Sequence, residues 1–177
     1  PRWVALELSS FQLHDCPHLA PVIGALLNLA PNHLDRYASL EEYYGDKARL
    51  FHNADAASIT VSNLDDVAVQ AMVAAVPGRH LRFSVTRDAD GWYDPPGGWL
   101  MLGRDRLLPR GELPLLGEHN VLNALAAALI AREAGGPLPA LREGLRAFRA
   151  IAHRVEPLRE LDGVLWINDS KSTNVTS

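Results

Sequence analysis

Cysteine is all but missing: Cys16 is the one thiol in 177 residues. A lone thiol closes no internal disulfide, so the fold must rest on its packed core, and the chain fits a reducing cytoplasm. No cluster of Lys or Arg occurs and the net charge is −4, which argues against a nucleic-acid-binding face. Long hydrophobic runs are also absent; the nearest, Val22 to Ala30, is too short for a membrane span and contains Asn28. No secretory leader is expected, since Pro1-Arg2-Trp3 enters strand-like sequence at once. That abrupt start, and an ending "NDSKSTNVTS" that opens a further element, lead us to expect a fragment. No glycine is followed by lysine, so no G-x-x-x-x-G-K-[ST] phosphate loop is present. There is no internal repeat and no low-complexity tract.

What is there is ordinary for a globular protein: 47% apolar and 21% charged residues. The length allows one domain with a real core, burying about 70% of its surface. Strand-like and helix-like segments alternate. Trp3–Leu8 and Val22–Leu29 read as buried strands, and Leu40–Ala54 as a helix capped by Ser39 with Glu41 and Glu42 in its first turn. Ala57–Ser62 is a short strand, Leu64–Val76 a helix opening with Asn63 and the Asp65-Asp66 pair, and His80–Ser84 another strand. Glycine and proline breakers between Val85 and Leu116 predict hairpins and loops. Glu118–Ala134 spaces Val121, Leu122, Leu125, Leu129 and Ile130 for an amphipathic helix, and Pro139–Ala150 reads as a second one. Arg154–Leu161 and Val164–Asn168 form a hairpin about an Asp162-Gly163 turn. The expected class is α/β, a largely parallel sheet with flanking helices plus a small β-hairpin region. A boundary near Ile151 divides 1–150 from 151–177.

Six stretches carry chemistry. In "VALELSSFQL" the acid Glu7 sits near the end of an apolar run, where a carboxylate costs several kcal/mol unless it is paired or binds a cation. Ligands of parallel sheets bind outside the strands' carboxyl ends. A solvated acid followed by helix-capping serines fits these spacings as well. "NLAPNHLDRY" gathers His33, Asp35 and Arg36, able to ligate a metal and position an anion, or to form a plain polar loop with a local Asp35–Arg36 pair. Lys47 follows on a helix, where most lysines are surface charges. In "GEHNVLNALAA", Asn120 and Asn123 share one helix face near its start and can contact a nucleotide or cap the helix. His153-Arg154-Val155-Glu156 is the fifth stretch. "NDSKSTN" is the sixth, a polar loop after a strand suited to an anion or to an ordinary turn.

In this order, "LELSSFQL", "N-x-x-x-x-H-L-D-R", a lysine fourteen residues after His33, "G-x-H-N-x-x-N-A-L-A-A", "H-R-x-E" and "N-D-S-K-x-T-N" resemble the Mur ligases over nearly the whole chain. The likeness is greatest to members that join D-glutamate to UDP-N-acetylmuramoyl-L-alanine. It implies a P-loop-NTPase-like central ATPase domain over 1–150 and the start of a C-terminal amino-acid-binding domain over 151–177. It also implies amide ligation through an acyl phosphate. ATP and two Mg²⁺ ions are the implied cofactors, with Glu7 and His33 as metal ligands and Lys47 as a third, carbamylated by CO₂. Ser9 and Gln12 would contact the muramoyl-alanine substrate or the first metal. Asn120 and Asn123 would meet the adenine side, and His153 and Arg154 lie by the hinge near ATP. Asp169, Lys171 and Thr173 would lie around the ribose, the phosphates and the acyl phosphate, so that Lys171 joins the catalytic set and Thr173 the substrate set. The implied partners are the two substrates, with no nucleic acid, no membrane and a monomeric chain.

Two positions depart from the family pattern: Asn32 stands where an acid is common before the histidine, and Ser172 where alanine is common. The phosphate loop is expected upstream of Pro1. The competing readings are another Mur ligase or a folylpolyglutamate synthetase, a non-catalytic nucleotide-binding module of the same fold, and a metallohydrolase built on His33, Asp35 and Glu7.

Overall fold

The computed structural model describes residues 2–32 and 36–172. A six-stranded sheet is ordered β1 (Ile23–Leu26), β2 (Ile59–Asn63), β3 (Arg79–Ser84), β4 (Gly91–Asp94), β5 (Trp99–Leu102) and β6 (Asp105–Pro109). Pairing is parallel from β1 to β4 and antiparallel from there to β6. The carboxyl ends of β1, β2 and β3 therefore share one rim. β4 joins β3 only through Phe83↔Gly91 and Ser84↔Trp92, so it starts where β3 is ending.

Helices lie on both faces, and strand alternation decides which residue meets which helix. On β2, Val61 is fully buried in the larger core with Phe83, Leu100, Leu125 and Leu129. The next residue, Ser62, turns the other way and accepts a hydrogen bond from Gln70 on α3 (Val67–Val73). The long helix α4 (Glu118–Glu133) covers the first face with Val121, Ala124, Leu125, Ala128 and Leu129, all buried. Burying each such leucine or valine stabilises the fold by about 1.5–3 kcal/mol. On the second face Leu26, Phe51, Val69 and Val73 form a smaller cluster. Here Gly24 lets the chain approach Phe51, since a Cβ would lie 2.8 Å from the ring. Arg79 at the start of β3 pairs with Glu133 at the end of α4. The helix thus runs against the strands, and its first turn lies at the rim end.

The remaining α-helices among the described residues are α1 (Ser10–His14), α2 (Leu40–Ala48) and α5 (Leu138–Ala147). Beyond them, β7 (Glu156–Leu161) and β8 (Val164–Asn168) form a separate antiparallel hairpin. Its turn residues, Asp162 and Gly163, both have positive φ (53° and 76°), the two-residue geometry that suits the twist of a hairpin.

Several expected boundaries change. Trp3–Leu8 is not a strand: it has no regular structure, and Trp3, Val4 and Leu6 are exposed. An apolar run becomes a strand only against a hydrogen-bonding neighbour, and among the described residues this segment has none. The strand expected over Val22–Leu29 is Ile23–Leu26. The helix from Leu40 stops at Ala48 and tightens into a 3₁₀ turn over Arg49–Phe51. The helix expected from Leu64 begins at Val67, because Asn63 still belongs to β2 and Asp66 is the cap, its carboxylate accepting from the Val69 N–H.

Candidate functional site

Two adjacent acids organise the rim. Asp65 and Asp66 follow β2 and reach in opposite directions along the sheet. Asp66 accepts from the Leu29 N–H at 2.9 Å, just past β1. Asp65 accepts from the Ser84 hydroxyl at 2.7 Å, the Val85 N–H at 2.8 Å and the Thr86 hydroxyl, just past β3. Burial works against the Asp65 charge, but these hydrogen bonds and Arg87 outweigh it and hold its carboxyl below the ordinary range. The loops leaving β1 and β3 are thereby tied to the strand between them.

α1 carries the predicted substrate residues. Its N-cap is Ser9, whose Oγ accepts from the Gln12 N–H at 3.3 Å while the Ser9 N–H donates to Gln12 Oε1 at 2.9 Å. This capping box uses both residues, which remain exposed. Glu7 lies two residues earlier on the irregular segment and is exposed; the expected cost of burying it does not arise. His33 and Asp35, and likewise Thr173, lie outside the described residues.

α2 starts as expected, with the Ser39 hydroxyl accepting from the Glu42 N–H at 3.2 Å. Lys47 is half-buried, its Nζ 5.2 Å from the Tyr43 ring centroid. Its ammonium makes no hydrogen bond or ion pair with the described residues, and burial lowers its pKa. One residue earlier, Asp46 is 8% exposed. Its carboxylate faces His14 Nδ1 at 2.8 Å and accepts from the Tyr37 hydroxyl at 3.1 Å and Arg49 Nε at 3.0 Å. Burial opposes this charge too, but the contacts with His14, Tyr37 and Arg49 hold the Asp46 carboxyl below the ordinary range. An open cleft of about 230 Å³ lies beside it, lined by Phe11, His14, Arg36, Tyr37 and Asp46 among others.

Asn120 and Asn123 lie on the first turns of α4 at the rim end. Asn120 does not cap the helix; Gly117 occupies that place, and the Asn120 amide donates to the Leu116 carbonyl at 2.7 Å. Asn123 is exposed. The fifth and sixth stretches meet across the hairpin. Asp169 Oδ1 accepts from the Val155 N–H at 3.1 Å, Asn168 Nδ2 meets His153 Nδ1 at 2.7 Å, and the Lys171 N–H donates to the His153 carbonyl at 3.1 Å. His153, Arg154, Asp169 and Lys171 are all exposed there.

Among the described residues no three His, Cys, Asp or Glu side chains converge as a metal site; of the trio His33, Asp35 and Glu7, only Glu7 lies among them. The available donors still suit Mg²⁺ chemically. Glu7 offers a carboxylate and a carbamate on Lys47 would offer another, the hard oxygens that this ion takes along with phosphate and water. Sequence reasoning missed Asp46 and treated Asp65-Asp66 only as a helix opening. A signal for Asp46 existed: it lies three residues after Tyr43 and so shares the buried face of α2. No described helix is long and apolar enough to cross a membrane.

Residues 1–131 match the family model described as Mur ligase middle domain. The chain is 43% identical over 175 residues to the UDP-N-acetylmuramoylalanine--D-glutamate ligase of Chromobacterium violaceum, covering 98% of this chain and 37% of that protein. It is 42% identical over 180 residues to the enzyme of the same name from Nitrosococcus oceani, covering 99% and 39%. It thus spans under two fifths of the length of either relative. Among solved structures, a UDP-N-acetylmuramoyl-L-alanyl-D-glutamate--2,6-diaminopimelate ligase superposes with a TM-score of 0.68 at 26% identity, covering 88% of this chain and 34% of that one.

Proposed function

Since the chain belongs to the Mur ligase family through its middle domain, we propose that it is the central part of a cytoplasmic ligase joining D-glutamate to UDP-N-acetylmuramoyl-L-alanine in peptidoglycan precursor synthesis. The γ-phosphoryl group of ATP passes to the alanyl carboxylate. The D-glutamate amine then attacks the acyl phosphate, and phosphate leaves as the amide forms. Residues 1–150 belong to the ATP-binding domain and 151–177 begin the domain that takes the amino acid.

The observation that carries this reading is Lys47, half-buried beside Tyr43 with no acid among the described residues to hold its charge. A lowered pKa leaves more neutral amine, the form whose lone pair attacks CO₂. The N–C bond forms, a proton leaves to water, and a cation becomes an oxygen ligand. Such a ligand is what the reaction needs. Two negative charges 4 Å apart repel by about 4 kcal/mol at an effective dielectric of about 20, and a phosphate approaching a carboxylate sets up several such pairs. One Mg²⁺ at Glu7 and a second at His33, with the Lys47 carbamate as a further ligand, would supply the positive charge that offsets them. Ser9 and Gln12 orient the muramoyl-alanine end from α1. Asn120 and Asn123 receive the adenine at the rim end of α4. His153, Asp169 and Lys171, tied into the hairpin, lie with Arg154 by the ribose and phosphates, with Thr173 on the substrate side. The protein acts as a monomer.

The test uses the full-length protein of which this chain is part. With ATP, Mg²⁺ and UDP-N-acetylmuramoyl-L-alanine it should release phosphate with D-glutamate but not with diaminopimelate or lysine. Dihydrofolate should not replace the nucleotide-sugar substrate. Glu7→Ala should lower kcat by about a hundredfold or more, the scale of losing one preorganised electrostatic contact. Phosphate release with diaminopimelate or dihydrofolate would assign another ligase of the family, and no turnover with any of them would favour a non-catalytic nucleotide-binding module.

A further inference from the structure

We infer that Asp46 is a positioning residue that holds α1, and with it Ser9 and Gln12, in register with Lys47 on α2. The inference rests on the function proposed above. α1 has only five residues, too few to be stable as an isolated helix, so its place must be set by what it packs against. Leu13 anchors it in the apolar interior at 5% exposure, and at its last residue the His14 ring meets Asp46.

The Asp46 carboxylate gathers three segments. His14 closes α1, Tyr37 lies shortly before α2, and Arg49 starts the turn after it. Arg49 also reaches back to the His14 carbonyl at 3.5 Å, closing a loop of contacts between the two helices. From Tyr37 the connection runs on through rings. Tyr37 stacks on Phe11 of α1 with centroids 5.4 Å apart and planes 12° apart. It also tilts against Tyr43 at 5.2 Å, and Tyr43 lies under Lys47 Nζ. The ring that supports Lys47 is thus held by a ring whose hydroxyl is fixed by Asp46. Tyr37 is 8% exposed, and a buried hydroxyl stripped of its acceptor is costly to leave in place. Without Asp46 the Tyr37 hydroxyl keeps only the neighbouring Ser10 side chain as a partner, so Tyr37 moves or admits water, and α1 and the support under Lys47 move with it. Asp46 touches no substrate in this scheme; it acts through Tyr37, Tyr43 and His14.

The experiment compares wild type, Asp46→Leu, Asp46→Asn and Tyr37→Phe in the full-length protein. It reads kcat, KM for ATP, thermal midpoint and the ¹³C carbamate resonance that [¹³C]bicarbonate gives at Lys47. Asp46→Leu removes every acceptor and should lower kcat by at least about tenfold while KM for ATP stays within about twofold, with a weaker carbamate signal. Asp46→Asn keeps one oxygen for Tyr37 and should recover most of that loss. Tyr37→Phe should lower kcat by about threefold or more at a nearly unchanged thermal midpoint. Folded Asp46→Leu with wild-type kcat and carbamate signal overturns the inference, as do losses that only track the melted fraction. If Asp46→Leu does not fold, Tyr37→Phe decides, and unchanged kcat there overturns it. If wild type neither ligates D-glutamate nor takes up the label, the proposed function fails by itself. The positioning role is then read from the ¹³C resonance of reductively methylated Lys47, which Tyr37→Phe must shift; an unshifted resonance overturns it.

Discussion

The Asp66 carboxylate accepts from the Leu29 N–H with one oxygen and from the Val69 N–H with the other, at 2.9 and 3.0 Å. One side chain thus starts α3 and fixes the first residues beyond β1. Asp66→Ala should cost about 1–3 kcal/mol, a lost cap plus a partly buried N–H left without its acceptor. Hydrogen exchange at Leu29 should speed up well beyond the global change. Unaltered Leu29 exchange would show that the segment is held by other contacts.

Its neighbour Asp65 links stability to acid. The folded carboxyl lies below its unfolded value of about 3.9, so the folded state binds fewer protons than the unfolded state in this range. Its contribution is complete above that value and is lost as pH falls through it toward the folded pKa. Urea midpoints should therefore hold steady from about pH 7 to 5 and drop below about pH 4. Asp65→Asn should flatten that acid limb, and an equally steep limb in the variant would assign the acid sensitivity elsewhere.

Lys47 carries a linkage of the same sign in a more alkaline range. Its folded pKa lies below the unfolded value of about 10.4, so the unfolded state binds the extra proton and stability rises with pH as this group titrates. After reductive methylation, the ¹³C titration of Lys47, assigned through Lys47→Arg, should show a midpoint below that of the same chain unfolded. A midpoint at or above the unfolded one would remove the main physical support for carbamylation.

Gly24 and Phe51 should be energetically coupled. A Cβ at Gly24 would lie 2.8 Å from Phe51 Cε1 and 3.2 Å from Cδ1, in a cluster with little room to yield. Gly24→Ala is expected to destabilise by about 1–3 kcal/mol through overpacking. Combined with Phe51→Leu it should cost less than the two single changes summed, by about 0.5 kcal/mol or more. Additive costs in that double-mutant cycle would mean the ring swings away freely.

Local signals carried much of this fold. Ser39 caps α2, Asp162-Gly163 turns the hairpin, and α4 buries Val121, Leu125 and Leu129 of its predicted stripe with Leu122 and Ile130 partly covered, because each depends on residues a few positions apart. The misses share one cause, distance along the chain. Trp3–Leu8 has the pattern of a strand, but a strand also requires a neighbour that its own residues do not encode. Asp46 reads as one more helix acid until His14 and Tyr37 are brought to it from 32 and 9 residues away. The Ser9–Gln12 stretch was legible as a motif and its serines as caps, while the reach of Gln12 back to the Ser9 N–H emerged only with the backbone. His153 and Asp169 were foreseeable neighbours, since the turn between their strands was itself readable.

β4 begins beside the last two residues of β3, so β4 and β5 climb past the carboxyl rim instead of stopping with it. Tyr93 and Asp94 lie beyond the last β3 pair, a rise of roughly 7 Å at about 3.3 Å per residue. The rim consequently carries a parapet on the β4 flank. A bulky molecule settling on the rim would be shielded on that side. Raising or trimming that parapet at the Pro95–Gly98 bend would alter entry while leaving the buried layers untouched.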